Sequence, residues 1–247
     1  MKRKLLVTGG AGFIGSNFIH YWSKKYPEDL LVVLDDLTYA GNLKNIKSLI
    51  DQKKVFFEKK NICDEEAIVK IFNEFHISHL INFAAESHVD RSIKNPDEFL
   101  NTNILGTYNL LEAFRKHWEQ NNYSQTFRFL QISTDEVFGS LGKDNEKFYE
   151  KYPYNPQSPY SASKASADHL VQAWGNTYGI PVLRSNCSNN YGPFHYPEKL
   201  IPLAITNIFK GKEIPIYGDG SNIRDWLHVY DHCAALELIL LSAKIGE

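Results

Sequence analysis

Short runs of apolar and β-branched residues alternate along this chain with longer stretches whose apolar positions recur every three to four residues. The short runs read as strands at Lys4–Thr8, Leu30–Asp35, Val55–Ile62, His79–Ala85, Phe127–Thr134 and Pro181–Ser185. The longer stretches read as helices at Gly12–Lys25, Asp64–Phe75, Pro96–Trp118 and Pro159–Tyr178. Two of these open on a proline, which suits a first helical turn. Such alternation predicts an α/β fold: a doubly wound, mainly parallel sheet with helices on both faces. Past residue 188 the alternation weakens. Asn189–Lys199 reads as a loop, with Gly192 and Pro193 as a turn signal. A helix near Pro202–Lys210, a short strand over Glu213–Tyr217 and a helix over Asp231–Ala243 follow. The pattern divides the chain into a sheet domain, residues 1–188, and part of a smaller substrate-covering lobe, residues 189–247.

The turn between the first strand and first helix, Thr8 to Gly15, carries Gly9, Gly12 and Gly15 at three-residue spacing. The first glycine permits a tight turn, the second lets a phosphate approach the backbone, and the third lets helix and strand pack closely. A diphosphate would then sit on the helix N-terminus, facing unpaired N–H groups. A glycine triplet alone is often only a loop. Here a strand precedes it, a helix follows, and the second strand ends in Asp35. A carboxylate there accepts hydrogen bonds from a ribose, and Asp36 beside it would repel a 2′-phosphate. These features predict a Rossmann-type sheet that binds NAD rather than NADP.

Charge and composition narrow the partners. With 27 basic and 29 acidic residues the formal net charge is −2, which argues against nucleic acid. No apolar run is long enough for a membrane span. The apolar stretch behind the first lysines is too short for a signal peptide. Three scattered cysteines, Cys63, Cys187 and Cys233, do not make a disulfide framework and suit a reducing cytoplasm. Cys63 and Cys187 fall at expected strand or strand-end positions and read as buried structural thiols.

Tyr160 and Lys164 stand four apart on the predicted Pro159–Tyr178 helix, on one face. An ammonium beside a phenol favours the phenolate, so Tyr160 could take a proton from an alcohol near neutral pH. The spacing alone is weak, since Tyr21 and Lys25 repeat it; those two read as solvent-facing. Position is what distinguishes Tyr160. Its helix follows a strand that ends in Ser133, Thr134, Asp135 and Glu136, and ligands of doubly wound sheets bind at such ends.

Longer stretches add to these motifs: Asp35–Asn42, Ala84–Ser92, Ile132–Gly139, Ser158–Lys164, Asn186–Pro193, Pro197–Pro202 and Arg224–Leu227. Together they resemble the dTDP-glucose 4,6-dehydratases of the extended short-chain dehydrogenase/reductase superfamily, over essentially the whole chain. The resemblance implies oxidation of a nucleotide sugar at C4, loss of water across C5–C6, and reduction at C6, with NAD held throughout. It implies that Tyr160 takes the C4 hydroxyl proton, that Lys164 assists it, and that Thr134 hydrogen-bonds the C4 oxygen. Glu136 would remove the C5 proton and Asp135 would protonate the departing hydroxyl. Elimination needs one base and one acid at neighbouring carbons, and adjacent carboxylates raise one of the two pKa values. A regular strand would point Asp135 and Glu136 to opposite faces, so both can serve only if the strand ends near Thr134.

Further residues follow from the same resemblance. Phe13, Ile14, Leu37 and Thr38 would contact the cofactor, with Asp35 and Asp36. So would Asn61, Ile62, Ala84, Ala85, Thr102 and Asn190, and Tyr160 and Lys164 as well, the lysine at the nicotinamide ribose. Ser87, Glu136, Asn189 and Leu200 would contact the nucleotide sugar, with Pro215 and Tyr217. Lys199 and Arg224 would take its diphosphate, the arginine through a bidentate fork. Asn61 stands where the family commonly has aspartate, and Asp36 where lysine is frequent. The family runs on well past this length, so the C-terminal lobe is expected to be incomplete and substrate affinity reduced. Small residues along the Tyr160 helix suggest close helix approach, and the family uses this helix and Pro96–Trp118 in a homodimer. His228 and His232 have a spacing that could bind metal, but no metal is expected in this chemistry. Two other readings remain: another nucleotide-sugar dehydratase or 4-epimerase, and a truncated, non-catalytic NAD-binding module. The acids at 135 and 136 speak against an epimerase.

Overall fold

In the computed structural model, which describes residues 2–141, 147–216 and 218–246, six parallel strands form one sheet. They are β1 (Lys4–Thr8), β2 (Leu30–Asp35), β3 (Val55–Lys59), β4 (His79–Asn82), β5 (Arg128–Thr134) and β6 (Val182–Cys187), in the spatial order β3-β2-β1-β4-β5-β6. Their side chains alternate between two cores. Leu6, Val32, Leu34, Leu80 and Phe129 face one cluster with α3 (Glu65–Phe75), α6 (Thr107–Gln120) and α7 (Pro159–Tyr178). Leu5, Val7, Val33, Ile81 and Leu130 face the other, with α1 (Phe13–Lys25) and α9 (Val229–Ser242). Both faces are covered, which is why these strands read as nearly continuous apolar runs.

Local signals set the helix ends. The Asp64 carboxylate accepts the Ala67 N–H at 3.1 Å and caps α3, which stops at His76 in the left-handed region (φ 51°). Ser158 and Ser161 form a reciprocal capping box at the start of α7, Pro159 takes its first position, and Gly179 (φ 72°) ends it. Shorter helices are α2 (Lys47–Asp51), α4 (Val89–Lys94), α5 (Pro96–Phe99) and α8 (Leu200–Phe209). A second, two-stranded parallel pair joins β7 (Asn189–Tyr191) to β8 (Trp226–His228).

The fold departs from the sequence pattern in three places. The expected helix Pro96–Trp118 is interrupted by a wide π-helical segment, Leu100–Gly106. There the Asn103 amide reaches out, accepting the Glu86 N–H at 2.9 Å and donating to Ser163 at 2.8 Å. The expected strand over Glu213–Tyr217 does not form within the described residues 213–216, where Pro215 lacks the N–H a ladder needs; Tyr217 lies outside the described residues. Strand β7 occupies part of the expected loop at 189–199.

Tyr21 and Lys25 are not simply solvent-facing. Both bond the Glu237 carboxylate on α9, Lys25 at 2.6 Å, with Tyr26 as a third donor. Apolar Val229, Cys233, Leu236 and Leu240 of α9 complete the core beside α1.

Gly9 and Gly179 share a left-handed backbone, φ 65° and 72°, but differ in space. A Cβ at Gly9 would lie 2.6 Å from the Ala84 nitrogen, whereas one at Gly179 meets nothing within 4 Å. Gly179→Ala is therefore expected to cost about 1–2 kcal/mol of backbone strain and Gly9→Ala clearly more. Equal melting-temperature losses in the two variants would refute this reading of the turn.

Candidate functional site

A cleft of about 510 Å³ runs along the C-terminal edge of the sheet. At one end lies the glycine turn, with Gly9, Gly12, Phe13, Ile14 and Gly15 on its wall. The Gly9 N–H donates to the Leu34 carbonyl at 2.8 Å, and a Cβ on Gly15 would collide with the Gly9 carbonyl. Helix α1 starts at Gly12 with no side-chain cap and no acid in its first turn, so its first N–H groups are free to meet an anion. Asp35 accepts the Ala11 N–H at 2.9 Å and the Leu37 N–H at 2.8 Å, tying β2 to the turn. Burial holds its carboxyl above the usual range, and those two N–H groups oppose the shift. The bare helix terminus and the carboxylate at the end of β2 fit the diphosphate and ribose of a dinucleotide.

Two of the departures noted in the sequence meet here. The Asn61 amide donates to the Asp36 carboxylate at 2.8 Å, and its oxygen accepts the Cys63 N–H at 2.7 Å. An aspartate at 61 would oppose Asp36 with like charge, so asparagine is matched to its neighbour.

At the other end β5 stops at Thr134, and Asp135–Phe138 form a 3₁₀ turn. The Thr134 hydroxyl accepts the Glu136 N–H at 3.2 Å and donates to Asp135 at 3.3 Å. The turn removes the strand's alternation, so both acids line the cleft with Tyr160 and Lys164. Burial pushes both carboxyls up. At Glu136 the Asp135 charge adds to this, and Arg224 and Lys199 oppose it. Burial thus does more than the adjacency invoked from the sequence.

Tyr160 is buried, and burial followed by the Glu136 charge pushes its phenol far up; the Thr134 hydroxyl opposes this. The lowering expected from Lys164 is not seen: burial and neighbouring negative charge set the direction at this phenol. Lys164 is buried too, donates to the Ile132 carbonyl at 2.7 Å, and is lowered by that burial.

The cleft gathers Thr38, Asp36, Asn61, Ile62, Ala84, Ala85, Thr102 and Asn190 among the expected cofactor residues. Leu37 is not on its wall; its φ of 55° belongs to the turn that presents its N–H to Asp35. On the substrate side the cleft gathers Ser87, Asn189, Lys199, Leu200 and Arg224. Pro215 lies on an exposed stretch off the wall, and Tyr217 is outside the described residues.

Some lining residues were not singled out from the sequence. Glu86 sits between two named neighbours and is held by Asn103, and His195 stacks on Phe13 at 4.3 Å. Burial lowers His195 to about 4. Cys187 ends β6 and borders the cleft; its thiol is turned to the Ser133 carbonyl and is raised to about 12 by burial. Cys63 is half-exposed in a turn after β3 rather than buried. The motif stretches Ala84–Ser92 and Asn186–Pro193 contain Glu86 and Cys187, so the signal was present.

The histidines at 228 and 232 serve different elements. His228 caps the Tyr230 N–H, and His232 meets the Asn190 side chain at 2.8 Å. Among the described residues no three metal-ligating side chains cluster. No described helix is long and apolar enough to cross a membrane.

Residues 6–247 match the family model described as GDP-mannose 4,6 dehydratase. A dTDP-glucose 4,6-dehydratase of Neisseria meningitidis serogroup B is 52% identical over 99% of this chain and 69% of its own length. The solved dTDP-glucose 4,6-dehydratase of Bacillus anthracis, in complex with NAD, superposes with a TM-score of 0.89 at 47% identity, covering 99% of this chain and 74% of that one. The Streptomyces venezuelae dTDP-glucose 4,6-dehydratase with NAD and TYD bound gives 0.91 at 42% identity, with the same coverage.

The two raised carboxyls bear on stability. Each binds its proton more tightly folded than unfolded, so it opposes folding as pH rises above the ordinary carboxylate range. Asp135→Asn and Glu136→Gln are therefore expected to raise the melting temperature near neutral pH, by about 2–4 °C for about 1 kcal/mol. The gain should shrink on acidification. A gain independent of pH would refute this origin.

Proposed function

This chain belongs to the GDP-mannose 4,6 dehydratase family and groups with the dTDP-glucose 4,6-dehydratases, and from that premise we propose that it dehydrates dTDP-glucose to the 4-keto-6-deoxy sugar nucleotide. The observation that carries this reading is the end of β5, where Thr134, Asp135 and Glu136 share one cleft with Tyr160 and Lys164. A 4-epimerase needs only a base and a hydroxyl partner. Two further acids suit an elimination.

NAD, held by the glycine turn, Asp35 and the Asp36–Asn61 pair, supplies the oxidation at C4 and the matching reduction at C6. The chain's own groups move the protons. Tyr160 accepts the C4 hydroxyl proton, with Thr134 hydrogen-bonded to the same oxygen and Lys164 offsetting the phenolate charge. The resulting ketone acidifies C5, and Glu136 removes that proton. Asp135 gives a proton to the C6 oxygen, which leaves as water. Burial favours protonated Asp135 in its acid role and strengthens Glu136 as a base. Lys199 and Arg224 hold the diphosphate, and Ser87, Asn189 and Leu200 the rest of the nucleotide sugar.

Residues 1–188 supply the proton-transfer groups and most of the cofactor site; of 189–247, the stretch carrying Asn189, Lys199, Leu200 and Arg224 supplies part of the substrate lobe, while α9 packs on the α1 face of the sheet. A homodimer through α7 and the Pro96–Trp118 stretch is supported by Leu105, Tyr108 and Tyr178, at 48%, 40% and 46% exposure. Three free, dispersed cysteines fit a cytoplasmic enzyme.

The test is mass spectrometry of dTDP-glucose incubated with the protein, with and without added NAD. Loss of one water is expected, and Tyr160→Phe should slow it by about 10²–10⁴-fold. In deuterated water Glu136→Gln should suppress solvent exchange at C5. An unchanged mass with dTDP-galactose appearing would replace this reading with an epimerase.

A further inference from the structure

Asp168 stands one turn beyond Lys164 on α7, as Lys164 stands one turn beyond Tyr160, so the three share a helix face. Its carboxylate is wholly buried, at 0% exposure. One oxygen accepts the Ser133 hydroxyl at 2.6 Å and the Tyr154 hydroxyl at 2.9 Å. The other has no hydrogen-bond partner among the described residues. An acid in such a place is costly unless a charge answers it.

The groups around it are few. Lys164 lies one turn back on the same helix face, beyond direct ion-pair distance, while Ser133 bonds the carboxylate from β5 and Tyr154 from the segment ahead of α7. Arg184 approaches from β6, but its guanidinium is engaged by Gln172 at 2.6 Å and by the Asp168 backbone carbonyl at 3.5 Å. Asp135, Glu136 and Cys187 stand on the cleft side, with Tyr160. His169 packs on Tyr154. Lys164 meets a neutral carbonyl, that of Ile132, as its hydrogen-bond acceptor. Ser133, the next residue of β5, holds Asp168, so one strand fixes both groups.

We propose that Asp168 is a positioning residue for the Tyr160–Lys164 pair: its carboxylate is the buried counter-charge that holds Lys164 as an ammonium in the floor of the cleft. Ser133 and Tyr154 fix where that charge sits. An amide oxygen would accept the same two hydroxyls, so the hydrogen bonds alone do not call for an acid. Burial drives Lys164 down, and the Asp168 charge is foremost among the influences that oppose it. Burial likewise pushes Asp168 up, while Lys164, Ser133, Tyr154 and Arg184 hold it toward the anion. The proposal rests on the role given above to Tyr160 and Lys164.

Asp168→Asn keeps the shape and removes the charge. The measurement is a pH titration of the lysine side-chain carbon resonances of the labelled, full chain by NMR, with Lys164→Met identifying the Lys164 signal. In Asp168→Asn the pH at which Lys164 loses its proton is expected to fall by about one unit or more. The alkaline limb of kcat for dTDP-glucose should move down with it, at little change in KM. Tyr154→Phe, which removes a neutral partner, and Asp168→Glu, which keeps the charge, should both stay near the wild-type midpoint. A wild-type midpoint in folded Asp168→Asn would overturn the proposal. So would an equal shift in Tyr154→Phe, since the network rather than the charge would then matter. If the asparagine variant does not fold, Asp168→Ser replaces it, with the same expected fall and the same refuting result. The titration needs no turnover, so an inactive wild type would sink the proposed reaction and leave this result readable.

Discussion

Six strands running the same way bring Thr8, Asp35, Asn82, Thr134 and Cys187 to one edge of the sheet, and the whole site hangs on that alignment. The alignment is not held by apolar packing alone. Beneath the cleft a buried polar chain crosses three strands: the Thr8 hydroxyl donates to Asn82 at 2.6 Å, and the Asn82 amide to Gln131 at 2.8 Å. Such groups are satisfied in one register only. A one-residue slip of β5 would turn Ile132 toward α7 and Ser133 toward the α1 face, removing one of the two hydroxyl partners of Asp168.

The same edge sets the electrostatics. Burial disfavours the charged form of Asp135, Glu136, Tyr160, Lys164 and Asp168 alike. A fold selected for stability alone would put apolar groups there. Low dielectric around a phenol, an ammonium and two acids is instead what proton transfer at two neighbouring carbons calls for. The glycine turn makes a parallel sacrifice. Its bare backbone leaves N–H groups uncapped, so that an anion can take the place of a side chain.

Strand periods, the glycine spacing, the proline that opens the Pro159–Tyr178 helix, and the Tyr160–Lys164 pair were legible in the chain. Each is encoded within a turn or two, by residues whose conformational demands are local. The requirement that β5 end at Thr134 could be stated from the chemistry of two adjacent acids, and the 3₁₀ turn at Asp135–Phe138 meets it. The strand over Glu213–Ile216 failed where pattern stood without a pairing partner, and Pro96–Trp118 was broken by a demand from outside the helix, the reach of Asn103 to Glu86 and Ser163.

By itself the sequence determined the parallel α/β frame, the dinucleotide turn and the reacting groups, because periodicity, glycine conformations and near-neighbour side chains need no distant partner. Only the tertiary structure decided that α9 seals the α1 face through Glu237, that Asn61 answers Asp36, that the Cys187 thiol meets the Ser133 carbonyl, and that Asp168 is buried one turn from Lys164. In the first three the partners are far apart in the chain. In the last the neighbours are close, but what matters is a shared burial that β5, β6 and Tyr154 create around them. Burial and long-range pairing are properties of the packed whole, and no window along the chain contains them.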